Sequence, residues 1–314
     1  MRHRLRIGHL STFYHTALHL MARDDLAERL GAEVQWTLFG TGPAIVAAFA
    51  RGEIDLAYIG LPPAVIGIER GLPAVCVAGG HVEGTVISGG PECISFPRAR
   101  DLAAVLGQFR GKAIGVPSKG SIHDVILTDA LAGAGLEGAV TVRNFAWADL
   151  ITEAMAHGEI SAAVGTPALA VAVQRYAGGR VLLPAAMLWP NNPSYGILAA
   201  RRLLSTAPDL VRGFLALHEE ATAELRERPA EAARAIARVV GIVGEDFILD
   251  VLRVSPKYCA KLTRDYRSAT MSFVRTLRQR GYIGRELSEA EIFDTTLIDA
   301  VHPGPGHYHE SDGV

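Results

Sequence analysis

The chain has 314 residues, 49% of them hydrophobic and 20% charged, with a formal net charge of −2. That balance fits a globular protein of one large or two medium domains. It excludes the basic footprint of a nucleic-acid or anionic-membrane binder. Cys76, Cys93 and Cys259 are odd in number and widely spaced, so neither a disulfide framework nor a CxxC metal motif is visible. Residues 1–8 are basic but contain no apolar run of signal-peptide length, and no later stretch is long enough to span a bilayer. The expected compartment is the cytoplasm as the sequence stands, or the periplasm or cell surface if a leader was removed.

In chain order, residues 5–10 read as a strand, and Ser11-Thr12-Phe13-Tyr14-His15 leads into a helix with Leu18, Met21, Ala22 and Leu26 at helical spacing. Ser11 or Thr12 is suited to cap that helix. Residues 34–39 form a second strand. The turn Gly40-Thr41-Gly42-Pro43 opens a short helix with its proline in the first turn, where a missing N–H costs nothing. A strand over 54–59, ending at Gly60-Leu61-Pro62-Pro63, a helix over 64–70 and a strand over 73–78 follow. This β-α-β alternation predicts a parallel sheet with right-handed crossovers.

The glycine-rich stretch after His81 reads as a crossing to a second α/β series. It has a helix over 102–109, strands over 113–116, 140–145 and 162–164, and helices over 121–134 and 148–156. The chain returns near residue 181 through Trp189-Pro190-Asn191-Asn192-Pro193-Ser194-Tyr195 to a strand over 196–200, and the rest is mostly helical. The tail from residue 302 is rich in glycine, proline and histidine and reads as poorly ordered. The expectation is an α/β protein of two lobes around a ligand cleft. Residues 1–88 with 190–314 form one lobe and 89–189 the other; no internal sequence repeat is visible.

Five loops are expected to line that cleft: residues 11–15, 40–43, 60–63, 118–123 and 191–195. Three precede helices, whose free N–H groups attract carboxylate, sulfonate or phosphate; the same loops cap helices in any α/β protein. The candidate ligand contacts are Ser11, Thr12, Phe13, His15, Gly40, Thr41, Gly42, Tyr58, Gly60, Leu61, Lys119, Gly120, Ser121, His123, Thr166, Asn192 and Tyr195, with Trp147 and Tyr195 as aromatic walls. His15 and His19 stand four apart and form a weak metal candidate, with His15 preferred as a pocket donor and His19 facing outward. His302, His307 and His309 could also catch a metal, though in a flexible tail such binding is expected to be adventitious. Asp55 reads as a structural strand-entry residue. The segment around Lys119 lacks P-loop spacing, and no GxSxG elbow or other catalytic set emerges, so no cofactor is implied.

Gly52-Glu53-Ile54-Asp55-Leu56-Ala57 resembles the G-x-[IV]-D-[ILV]-[AG] element of type II periplasmic substrate-binding proteins of ABC transporters. The resemblance is closest to the group that binds nitrate, alkanesulfonates, taurine or thiamine-pyrimidine precursors (NMT1/THI5-like). Gly120-Ser121-Ile122-His123, followed by Leu127, Ala130-Leu131 and Ala134-Gly135-Leu136, is similar to that group's GS…L…AL…AGL helix. Residues 154–163 resemble its AL-x-x-G-x-[IV]-DA element, with Ser161 in place of the usual aspartate. Gly165-Thr166-Pro167 stands where an acid–proline pair is common, so Thr166 replaces a carboxylate that would bind an amine. The likeness runs over residues 5–280. It implies two lobes that close on a small organic anion or heteroaromatic ligand and deliver it to an ABC permease. Leaderless proteins of the same fold leave two alternatives: an enzyme (chorismate dehydratase-like or thiamine-pyrimidine synthase-like) or a cytosolic ligand sensor.

Overall fold

The computed structural model describes residues 3–308. These form two compact units, one from the described parts of Met1–Val82 and Pro193–Val314, the other from Glu83–Asn192. The first unit begins with β1 (His3–Leu10), α1 (Thr16–Met21), α2 (Leu26–Leu30), β2 (Ala32–Phe39), α3 (Gly42–Ala50), β3 (Leu56–Ile59), α4 (Leu61–Glu69) and β4 (Ala74–Val82). The second contains β5 (Val86–Gly89), α5 (Leu102–Gly107), β6 (Ala113–Pro117), α6 (Ile122–Gly133), β7 (Thr141–Phe145), α7 (Asp149–Ala156), β8 (Ala162–Gly165), α8 (Pro167–Tyr176), β9 (Arg180–Val181) and α9 (Ala185–Leu188). The first unit resumes with β10 (Pro193–Ala200), α10 (Arg201–Thr206), α11 (Pro208–Glu227), α12 (Pro229–Val240), α13 (Glu245–Val254), α14 (Arg264–Gln279), α15 (Glu289–Ile292) and α16 (Thr296–Val301).

The first sheet has the order β2-β1-β3-β10-β4 and the second β7-β6-β8-β5-β9. In the first, β2 and β3 run parallel to β1, while β10 is antiparallel to both β3 and β4. In the second, β7 and β8 run parallel to β6, while β5 is antiparallel to β8 and β9. The parallel expectation therefore needs one correction per sheet. Neither β5 nor β10 is reached through a crossover helix of its own unit. Each follows a crossing directly, so the rule that makes βαβ strands parallel does not apply to it.

The crossings fall at 82/83 and 192/193 rather than at 88/89 and 189/190, because β5 pairs with β8 of the second sheet. Beside them Glu83 and Asn191 hold positive φ (61° and 53°), uncommon for residues with a side chain. Glu83 N donates to Asn192 O at 2.8 Å and Asn191 N to Glu83 Oε1 at 3.1 Å, tying the two passing chains together.

Local chemistry explains most of the rest. Thr41, Ser121 and Thr166 each accept the N3 amide of the helix they begin. Leu61-Pro62-Pro63 is the first turn of α4 and not the loop expected, since prolines there forfeit no hydrogen bond. The helix expected after His15 is two short ones, α1 and α2. The core of the second unit gathers Ile151, Ala154, Ile160, Ala163, Leu169 and Val173. Residues 302–308 pack on the first unit, against the expectation for the tail: His302 and Tyr308 are buried, and Lys261 Nζ donates to Gly304 O. His309 and the rest of the tail lie outside the described residues. No described helix is long and apolar enough to cross a membrane.

Candidate functional site

In the first unit the loop after β1, the ends of β3, β4 and β10, and one turn of α11 meet in a buried cluster of tyrosines and histidines. His218 Nε2 donates to Gly79 O at 2.9 Å, which leaves the lone pair of the neutral ring on Nδ1. Thr16 Oγ1 lies 3.0 Å and Tyr58 Oη 3.2 Å from that nitrogen. Tyr195 Oη sits 3.2 Å from Thr16 Oγ1 and accepts Thr16 N at 3.3 Å. The carbonyl thus makes Nδ1 an acceptor with the Thr16 and Tyr58 hydroxyls both within donating distance, and Tyr195 extends this network through Thr16. Tyr14 Oη meets Ser194 Oγ at 2.9 Å, and Tyr258 Oη donates to Tyr14 O at 3.1 Å. The His15 ring lies against Tyr195, centroids 4.0 Å apart and tilted by 38°.

His81, at the end of β4, was not among the expected contacts. Its ring lies parallel to Tyr195 at 6.3 Å, with Tyr14 and Tyr258 at 4.9 and 4.7 Å. Nε2 donates to Ser255 O, so Nδ1 is the acceptor, and no described residue donates to it. Burial holds His81 and His218 neutral by lowering each to about 4. For the same reason the Tyr14 and Tyr195 hydroxyls are raised and stay protonated.

In the second unit, Gly120 takes φ 79° and donates its amide to Asp124 Oδ2 at 2.9 Å. Asp124 Oδ1 accepts Asn144 Nδ2 at 2.9 Å. The carboxylate already occupies the positive end of α6, which makes this helix start a poorer anion site than its sequence implies. His123 Nδ1 lies 2.9 Å from Thr85 Oγ1 and burial lowers the ring to about 4. Ser121→Ala removes the α6 cap and is expected to cost about 1 kcal/mol; a chemical-denaturation midpoint monitored in the second unit checks it.

The expected contacts divide by exposure. Tyr58 and Tyr195 are 0% exposed with their hydroxyls engaged, so Tyr195 is a packed core ring and not an open wall. Ser11 and Lys119 are exposed, and Trp147 is 44% exposed. Gly60 starts α4 and Leu61 is buried in its first turn. Gly42 packs where a Cβ would stand 2.6 Å from Pro63 Cγ, and neighbouring Gly40 is half-buried. Phe13 meets Phe247 edge to face at 5.9 Å. His19 does not face outward: it is buried, with Nε2 against Glu224 Oε2, so the His15/His19 pair does not converge on a common ion.

One feature recurs in these loops. Thr12 Oγ1, Ser118 Oγ and Asn192 Oδ1 are buried and make no hydrogen bond to described residues; neither does Ser88 Oγ on β5. Buried polar atoms are nearly always paired, and one left alone costs roughly 1–3 kcal/mol.

A model of the NMT1-like family matches residues 2–241. A Brucella abortus (strain 2308) protein named as a binding protein is 25% identical over 271 residues, covering 83% of this chain and 80% of its own length. The ligand-binding component of an ABC-type import system from Staphylococcus aureus, solved with zinc bound, superposes with a TM-score of 0.80 at 14% identity, over 96% of this chain and 100% of that one. The periplasmic aliphatic sulphonate binding protein SsuA of Escherichia coli gives 0.77 at 19% identity, over 100% and 96%. At such identities the likeness concerns the fold, which is that of two-lobed type II periplasmic binding proteins.

Proposed function

Because the chain belongs to the NMT1-like family, we propose that it is a solute-binding protein that captures a small organic anion or heteroaromatic molecule for an ABC importer. The observation that carries this reading is the set of orphaned oxygens, Thr12 Oγ1, Ser118 Oγ and Asn192 Oδ1, on three of the loops expected to meet a ligand. Each is a hydrogen-bonding group that the chain desolvates without using, as a pre-formed ligand site requires. The similar proteins support the role by name: a binding protein, an import-system ligand-binding component, and a sulphonate binder. The buried histidines His81, His123 and His218 are neutral and Lys119 is exposed, so the named contacts offer donors and aromatic faces rather than buried full charge. That favours the heteroaromatic member of the pair. A permease as partner and a periplasmic or cell-surface location follow from the same reading.

Native mass spectrometry of the purified protein, with thermal shifts across sulfonates, carboxylates, nitrate and pyrimidines, tests it. A bound small molecule or a selective shift is expected; silence in both defeats the proposal. Ser118→Ala discriminates further. It removes no protein hydrogen bond, so the free protein's midpoint holds or rises, while affinity for the ligand found falls by up to about tenfold.

A further inference from the structure

The segment after α16 turns back over the first unit and brings two histidines to a cysteine. Cys259 Sγ and one ring nitrogen each of His302 and His307 all lie within 4.8 Å of one another. Cys259 is a buried free thiol, held where its amide donates to Gly80 O at 3.1 Å beside β4. The two imidazole rings are 4.6 Å apart at 60°. His302 is buried and His307 exposed, so the cluster has a protected floor and an open entrance.

The hydrogen bonds around His302 resemble the outer shell of a metal site. Nε2 lies 2.9 Å from Pro305 O, and only its N–H can bond a carbonyl, so the neutral ring keeps its lone pair on Nδ1. A backbone carbonyl on the far nitrogen is how proteins fix the tautomer of a ligating histidine. Glu219 Oε1 stands 3.0 Å from that Nδ1, without hydrogen-bond alignment, and Glu219 Oε2 has no hydrogen-bond partner among the described residues. A carboxylate facing an imidazole lone pair is repulsive unless a cation or a proton joins them.

We propose that Cys259, His302 and His307 form a site for one Zn²⁺ ion, with the fourth position open to solvent on the His307 side. One thiolate and two imidazoles completed by a water are a tetrahedral zinc set; calcium and magnesium prefer oxygen alone. Bonds of about 2.3 Å to sulfur and 2.0–2.1 Å to nitrogen draw the donors to about 3.5 Å from one another. His307, on the exposed Pro-Gly-Pro-Gly side of the strap, supplies most of that closure. On loading, the Cys259 thiol releases its proton to solvent and the ion replaces it. The ion would pin the strap to the segment that pairs with β4.

The test uses the tag-free full chain, stripped with chelator and titrated with Zn²⁺ against a chromophoric competitor, then with Co²⁺ as a spectroscopic substitute. One ion per chain is expected, with a thiolate-to-cobalt charge-transfer band and the intense visible bands of tetrahedral Co²⁺. Cys259→Ser abolishes the charge-transfer band and weakens Zn²⁺ at least on the order of 100-fold. His307→Gln, exposed and harmless to folding, weakens it at least on the order of 10-fold, since losing even an outer-shell partner costs 10–100-fold. His309→Gln leaves affinity unchanged. Unchanged Zn²⁺ affinity in both Cys259→Ser and His307→Gln overturns the site, as does a loss of affinity in His309→Gln alone.

Discussion

Asp55→Ala is expected to lower the stability of the protein by about 3 kcal/mol, a drop in thermal midpoint of roughly 6–12 °C for a unit of about 150–250 residues. The carboxylate is buried at the entry to β3 and serves three strands. Arg6 of β1 grips it bidentately, Nε to Oδ2 at 2.9 Å and Nη2 to Oδ1 at 3.0 Å, and adds its amide at 3.1 Å. Arg202, just past β10, reaches Oδ1 as well. Removing the carboxylate leaves two arginines facing a vacated pocket. Because Arg202 and part of Arg6 reach solvent, the cost falls at the low end of the range for a broken buried pair.

The same group predicts a pH signature. Burial alone would raise the Asp55 carboxyl, but the Arg6 side-chain and amide hydrogen bonds, with the charges of Arg6 and Arg202, overcome it and leave the folded-state value lowered. The carboxylate therefore contributes fully above its unfolded value near 3.9, and the contribution fades as pH falls through the lower folded value. Denaturation of wild type and Asp55→Asn should differ most near neutrality and converge in acid below about pH 4. A gap that stays constant with acidity would show that the charge is not what holds the strands.

What could be read from the chain follows from the range of each interaction. The helix caps at Thr41, Ser121 and Thr166 act on the amide three residues on, so a short window reveals them. Asp55 reads correctly as structural because strand entry is also local, although its arginine partners sit 49 and 147 residues away. Strand direction in β5 and β10 depends on where the chain re-enters a sheet, which no periodicity records. Helix α8 escapes the pattern reading although Thr166-Pro167 marks its start with both a cap and a first-turn proline. The aromatic cluster draws on six separate stretches of chain. Its members, His81 above all, carry no spacing that sets them apart from ordinary core residues.

Gly80→Ala should be the second damaging change, costing about 3–5 kcal/mol. A Cβ at this position of β4 would stand 2.0 Å from Tyr195 Cε2 and 2.5 Å from Cζ, so the ring must move. Overpacking alone costs typically about 1–3 kcal/mol. Here the ring is also tethered: Thr16 holds its hydroxyl, the His15 ring packs against it at 4.0 Å, and Tyr266 Oη donates to its carbonyl at 3.1 Å. Displacing it breaks the hydrogen bonds between the Tyr195 hydroxyl and Thr16, adding about 1 kcal/mol for each one lost. If the clash with the ring is the cause, the remedy is a smaller ring-free side chain. Tyr195→Leu is costly alone because it opens a cavity, but combined with Gly80→Ala it should destabilise by at least about 1 kcal/mol less than the two single changes added together. Strict additivity in that double-mutant cycle would mean that Gly80 is required for something other than the Tyr195 ring. Since His15 and the α1 start at Thr16 directly follow Thr12, the Gly80→Ala protein should also lose solute affinity at temperatures where it remains folded. Such a loss ties the packing of Tyr195 to the geometry of the loop that carries the orphaned Thr12 hydroxyl.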